Sequence, residues 1–186
     1  MDHDLKLTIE LVPRTSWGTN LHKLMPKKAW DEVRQATYKE HGYRCGVCGA
    51  QGRMTCHERW AYDDAAGIQT LLGFIALCDL CNHVKHIGLA GILARQGYLD
   101  YDAVVAHFLR VNGCDRETFE QHREQAYAVW RQRSARPWTV DFGPYEAIID
   151  RQQAAAPVIG RGAQRAPRAP GQERGRSGRA ARPPGA

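Results

Sequence analysis

No run of about 18 apolar residues occurs anywhere in the 186-residue chain, which excludes a helical membrane span of ordinary length. The opening Met1-Asp2-His3-Asp4-Leu5-Lys6 lacks the basic and then apolar regions of a secretory leader, so the expected compartment is the cytoplasm. Internal repeats are absent as well. So is a charge excess over most of the chain. The formal +6 belongs to residues 155–186, which carry seven arginines against Glu173 alone, and the preceding residues are balanced. The sequence pI of about 9.1 therefore describes a tail and not a basic folded surface. That tail, rich in Arg, Pro, Gly and Ala with little to bury, reads as disordered. It suits either nonspecific phosphate contacts or simple solubilisation.

What is present is cysteine in a particular arrangement. Four of the six fall in two tight pairs, Cys45-Gly46-Val47-Cys48 and Cys78-Asp79-Leu80-Cys81. In a cytoplasmic chain such pairs hold metal more often than they form disulfides, and four thiolates suit the tetrahedral geometry of a structural zinc. Neither pair is followed directly by histidine, which argues against haem attachment. Thiol redox chemistry is the weaker reading, because ligation accounts better for the pairs. Cys114, in a loop-like Val-Asn-Gly-Cys-Asp stretch, reads as a bystander.

The 29 residues between Cys48 and Cys78 exceed a minimal zinc ribbon and leave room for a hairpin with further chemistry. This insertion holds Cys56-His57-Glu58, and the second pair runs straight into Asn82-His83-Val84-Lys85-His86. The His, Asn and Glu side chains here offer the harder nitrogen and oxygen ligands that a second, catalytic cation prefers.

Periodicity supplies the frame. Residues 5–12 alternate apolar and polar and predict a half-buried strand ended by Pro13. Pro26 is placed to start a helix over 27–41, which Gly42 stops. Residues 43–52 form the first cysteine loop, and 54–62 and 69–77 read as strands. Asp79 is positioned to cap a short helix carrying residues 80–86 and ending at Gly88. Helical spacing returns at 89–96, 101–111 and 116–133, followed by a strand over 138–142 and a short helix over 145–153. Trp60 and Tyr62 read as packing residues.

A CxxC pair, a histidine on a strand, a second strand, then CxxC and a helix ending in Lys85-His86 together resemble the HNH, or His-Me finger, endonuclease family over residues 42–88. The resemblance implies an α+β fold: a ββα-metal core with a four-cysteine zinc knuckle, flanked by additional helices. The organisation expected is one domain over 1–154, with helical support over 89–154, and the tail over 155–186.

The implied reaction is hydrolysis of DNA phosphodiester bonds. His57 takes the position of the general base, a role that suits imidazole because its ordinary pKa of about 6.5 lies near working pH. Glu58 stands beside it. Asn82 and His86, spaced i, i+4 on one helix face, match the ligand pair for a divalent cation (Mg²⁺, Mn²⁺, Ni²⁺ or Zn²⁺), with His83 within a turn of His86. Cys56 sits where the family carries an Asp or His that ligates the cation. Lys85 is placed to meet a phosphate.

Gly73 occupies the position of the family's middle Asn, which leaves Glu58 or another side chain to substitute. The alternative reading is a non-catalytic zinc module of the same fold that binds nucleic acid or a protein partner. In bland terms, His57 is a satisfied core or surface histidine, His86 a helix-end histidine and Asn82 a helix-start hydrogen bonder. By the same measure Glu58 is a strand-surface carboxylate, His83 an exposed polar residue, Lys85 a solvated lysine and Cys56 a small buried hydrophobe.

Overall fold

Two long stretches rich in β-branched and aromatic residues pair with each other. In the computed structural model, which describes residues 5–149 apart from Thr19, β1 (Met54–Asp63) and β2 (Ile68–Cys78) form an antiparallel hairpin. The turn is held by Asp63, whose Oδ1 accepts from the amides of Ala65 and Ala66 at 2.9 and 2.8 Å. A short β3 (Thr139–Asp141) lies parallel to the start of β2 and completes a sheet of order β1-β2-β3.

The hairpin is irregular at one point. Arg59 pairs with Gly73 but Trp60 pairs with Leu71, so Leu72 bulges out of the ladder. Gly73 sits in this bulge at φ +133, a conformation that a residue with a Cβ rarely adopts.

Each face of the sheet carries its own core. One cluster gathers Leu71, Phe142 and Ile149 with Leu21 and Leu24 of α1 (Leu21–Leu24) and, more peripherally, Trp30 and Val33 of α2 (Lys27–Glu40). Pro26 precedes α2 and Gly42, at φ +59, follows it, as expected from the sequence. The four-residue α1 was not anticipated, because it is too short for an apolar period and is nucleated by Asn20, whose side chain accepts from His22 N at 2.9 Å.

The larger cluster joins Leu77 of β2 to α3 (Asp79–Lys85), α4 (Ile87–Arg95), α5 (Tyr101–Asn112) and α6 (Arg116–Arg133). Asp100 and Asp115 cap α5 and α6, and Phe108 meets Phe119 edge-on at 5.1 Å. Cys45 and Cys81 belong to this same cluster, so the paired cysteines are built into the main core.

Three expectations are corrected. Residues 5–12 form no strand. Their alternation does bury Leu7 and Ile9, but the backbone partners are helical: Leu7 exchanges hydrogen bonds with the Asn112 side chain at 2.9 Å, Ile9 N donates to His122 Nε2 at 2.9 Å, and Glu10 N donates to Lys85 O at 3.0 Å. The cap of α3 is Cys78, whose sulfur accepts from Cys81 N, with Asp79 the first helical residue. The helix ends at Lys85, His86 turns the chain, and Gly88 lies inside α4, where an added Cβ would come within 3.4 Å of Tyr127 Oη.

The closing helix is a 3₁₀ turn, Gly143–Ile148. Residues 150–153 of that prediction, and the tail over 155–186, lie outside the described residues. Among the described residues no helix is long and apolar enough to cross a membrane. The result is a mixed α+β fold: a small three-stranded sheet, surrounding helices and a cluster of four cysteines.

Candidate metal centre and the adjoining histidine cluster

The first cysteine pair lies in a tight loop closed by an Arg44–Gln51 bridge and by Cys45 N donating to Ala50 O at 2.9 Å. Gly49, at φ +73, turns the loop so that its amide donates to Cys45 O at 2.9 Å. Gly46 N donates to Ala76 O at 2.8 Å, which fastens the loop to the end of β2 just before Cys78. The second pair follows where β2 passes into α3. All four sulfurs lie within 4.8 Å of one another, and Cys48 Sγ stands 3.6 Å from Cys78 Sγ. A tetrahedron with Zn–S bonds of about 2.3 Å has sulfur–sulfur edges of about 3.8 Å, so the cluster can hold a metal ion such as zinc with little adjustment.

The charge state of the metal-free cluster explains what such an ion supplies. The hydrogen bond from Cys81 pulls Cys45 down to about 4, while Cys81 itself is driven far up by the same bond and by burial. Burial also pushes Cys78 up to about 11. A dication reverses the preference of Cys78 and Cys81 for the thiol by displacing their protons.

Packing around the loop leaves no slack. A Cβ on Gly46 would lie 2.6 Å from His41 Cδ2 and 2.8 Å from Ile75 Cγ1. Gly46→Ala is therefore expected to lower unfolding stability by roughly 1–3 kcal/mol. A denaturant midpoint equal to that of the unmodified protein would contradict this.

His57 lies on β1, 6% exposed, and its ring meets that of His86 edge-on at a centroid distance of 4.9 Å. The partner that the sequence did not reveal is Glu10. Its Oε1 forms a short hydrogen-bonded ion pair with Lys85 Nζ, which also donates to Thr8 Oγ1 at 3.1 Å. Oε2 is left facing His57 Nε2 at 3.4 Å.

Burial pushes the Glu10 carboxyl up, but the His57 hydrogen bond and the Lys85 ammonium outweigh it and hold the group at about 2. An ionised carboxylate only accepts, so it is His57 Nε2 that carries the proton of this hydrogen bond. Burial, reinforced by His57, lowers His86 to about 4, so it is the neutral form that binds metals.

The remaining candidates divide. Asn82 precedes His86 by one turn, and its Oδ1 is buried without a hydrogen-bond partner, which suits an oxygen ligand for a hard cation. His83 is half-buried on α3, and the ring contact of His57 is made by His86 instead.

Glu58 and Cys56 are not brought to His57. Glu58 Oε1 accepts from Leu21 N of α1 at 3.2 Å, and Cys56 Sγ donates to Thr37 Oγ1 of α2 at 3.7 Å. Strand alternation sends both to the opposite face. Cys56, pushed up to about 11 by burial, stays a thiol. Lys85 is buried in the Glu10 pair and not free on the surface to meet a phosphate.

Among the described residues the four cysteines form the one group of three or more His, Cys, Asp or Glu side chains close enough to share an ion. Trp60 and Tyr62 pack as expected, against Phe142 and Trp138.

A second unforeseen feature adjoins the sulfurs. His107 of α5 places Nε2 3.1 Å from Cys81 Sγ, and Arg110 Nη2 lies 2.7 Å from His107 Nδ1.

Comparison of the chain with protein-family models, with curated proteins and with solved structures finds no match.

Proposed function

We propose that the chain is a metal-dependent endonuclease of the HNH type, hydrolysing DNA phosphodiester bonds with His57 as general base. The observation that carries this reading is the meeting of His57 and His86 where a β-hairpin runs into a helix whose first turn carries a cysteine of the four-sulfur cluster.

In this reading Glu10 keeps the proton on Nε2, so Nδ1 faces the reaction as acceptor and takes a proton from the attacking water. Lys85 holds Glu10 in place and ionised. His86 and Asn82 are the residues that would hold a divalent cation: the first is neutral, and the second offers an oxygen with no other partner. When bound, such a cation supplies charge to polarise the phosphate and stabilise the leaving oxygen. Glu10 then does the orienting work left open by Gly73.

The second reading, a non-catalytic module of the same fold that binds nucleic acid or a protein partner, is favoured by the burial of His57 and by the glycine in the bulge. Nicking of supercoiled plasmid across Mg²⁺, Mn²⁺, Ni²⁺ and Zn²⁺ separates the two. Cleavage in at least one ion is expected, and none in any ion would leave the binding module. Glu10→Gln should lower the nicking rate by roughly 10–100-fold with zinc content unchanged. A rate equal to that of the unmodified protein would remove Glu10 from the orientation of His57.

A further inference from the structure

His107 and Arg110 lie one turn apart on α5, outside the hairpin and helix that carry the cysteines. An arginine guanidinium only donates, so at 2.7 Å it requires His107 Nδ1 to be the acceptor. The ring proton is then on Nε2, which faces Cys81 Sγ at 3.1 Å. This tautomer cannot also offer Nε2 as a metal ligand, because its lone pair is committed to the N–H bond. His107 is therefore a donor to the sulfur and not a fifth member of the set.

The sulfur it serves is deeply buried. Cys81 is fully buried, its own backbone amide is spent on Cys78 Sγ at 3.5 Å, and water has no access to it. Four thiolates around one dication leave a net charge of about −2, and burying that charge is costly unless donors or cations face it. The His107 N–H, backed by the Arg110 charge, supplies both. Lys6 joins His107, Arg110 and Cys48 around a cleft of about 450 Å³, adding a further positive charge on this side.

We propose that the Arg110–His107 pair is the positioning and charge-compensating support of the metal centre, acting through an N–H···S hydrogen bond to Cys81 that sets how tightly the cluster holds its ion. This role concerns the four-cysteine centre alone and stands whether or not the chain cleaves DNA.

The test uses the zinc-loaded full chain and reads zinc affinity in competition with a chromogenic chelator. His107→Ala is expected to weaken zinc binding by roughly 10–100-fold. His107→Leu, which fills the space without a donor, should lose as much. His107→Gln carries an amide N–H to the same place and should recover most of the affinity. Arg110→Met should weaken binding in the original background and weaken it less in the His107→Gln background, where the charge is still lost but no tautomer needs fixing.

After cobalt substitution, the thiolate-to-metal absorption band should shift in His107→Leu and return in His107→Gln. Leucine behaving like histidine in affinity and band position would show that the ring only fills space. Glutamine failing while leucine also fails would show that no donated proton is involved. Either result overturns the proposal.

Discussion

Stripping the metal from the full chain by chelation is expected to unfold its larger core. The reason is where the sulfurs sit. Cys45 and Cys81 are members of the same buried cluster as Leu77, Val84, Val104 and Phe108, so losing the ion that ties the four sulfurs together loosens the packing between the hairpin, α3 and α5. Apparent zinc-binding energies in small zinc domains run to about 10–16 kcal/mol. That is comparable to the whole stability of about 5–15 kcal/mol of an ordinary domain.

Chelated protein should therefore lose its cooperative thermal transition and regain it on adding zinc. Cys81→Ser should behave in the same way without any chelator. An unchanged melting temperature after metal removal would show that the sulfurs are near one another for reasons of packing alone.

His57→Ala is expected to reduce metal-dependent nicking by about 10²–10⁴-fold, the range attributed to a positioned general base. Zinc content and the thermal transition should change little, since the imidazole touches His86 and Glu10 and none of the cysteine sulfurs. The comparison that matters is with His86→Ala. If His86 holds the cation, raising the cation concentration should partly restore the His86 variant and leave the His57 variant inactive. Equal rescue of both would make His57 a ligand and not the base, and full activity in His57→Ala would remove the proposed chemistry altogether.

The sequence made the cysteine quartet legible because CxxC spacing constrains a short loop directly, with no need to know the tertiary fold. The hairpin and the helices at α5 and α6 were readable for a similar reason, through local period. Residues 5–12 show where local reading stops. Their alternation correctly marked Leu7 and Ile9 as buried, but the partners of the backbone, Asn112, His122 and Lys85, lie far away in the chain.

Glu10 was invisible as a site residue for the same reason, since 47 positions separate it from His57. His107 and Arg110 carry no motif and become meaningful only when α5 packs beside Cys81. Two residues were misplaced despite an available signal. Glu58 and Cys56 flank His57 on a strand, and the two-residue period alone sends them to the other face. Gly73 turned out to mark a bulge with positive φ, information that resides in the pairing register and not in the residue itself.

The proposed nuclease chemistry requires a cation held beside His57 by His86 and Asn82, within a frame fixed by the four cysteines. Titrating Mn²⁺ into zinc-loaded protein, with free Mn²⁺ followed by electron paramagnetic resonance, reads that cation without any assumption about substrate. One Mn²⁺ site per chain is expected, and it should disappear in His86→Ala while the zinc stays bound. A zinc-loaded chain that takes up no Mn²⁺, or takes it up equally with and without His86, would refute the site.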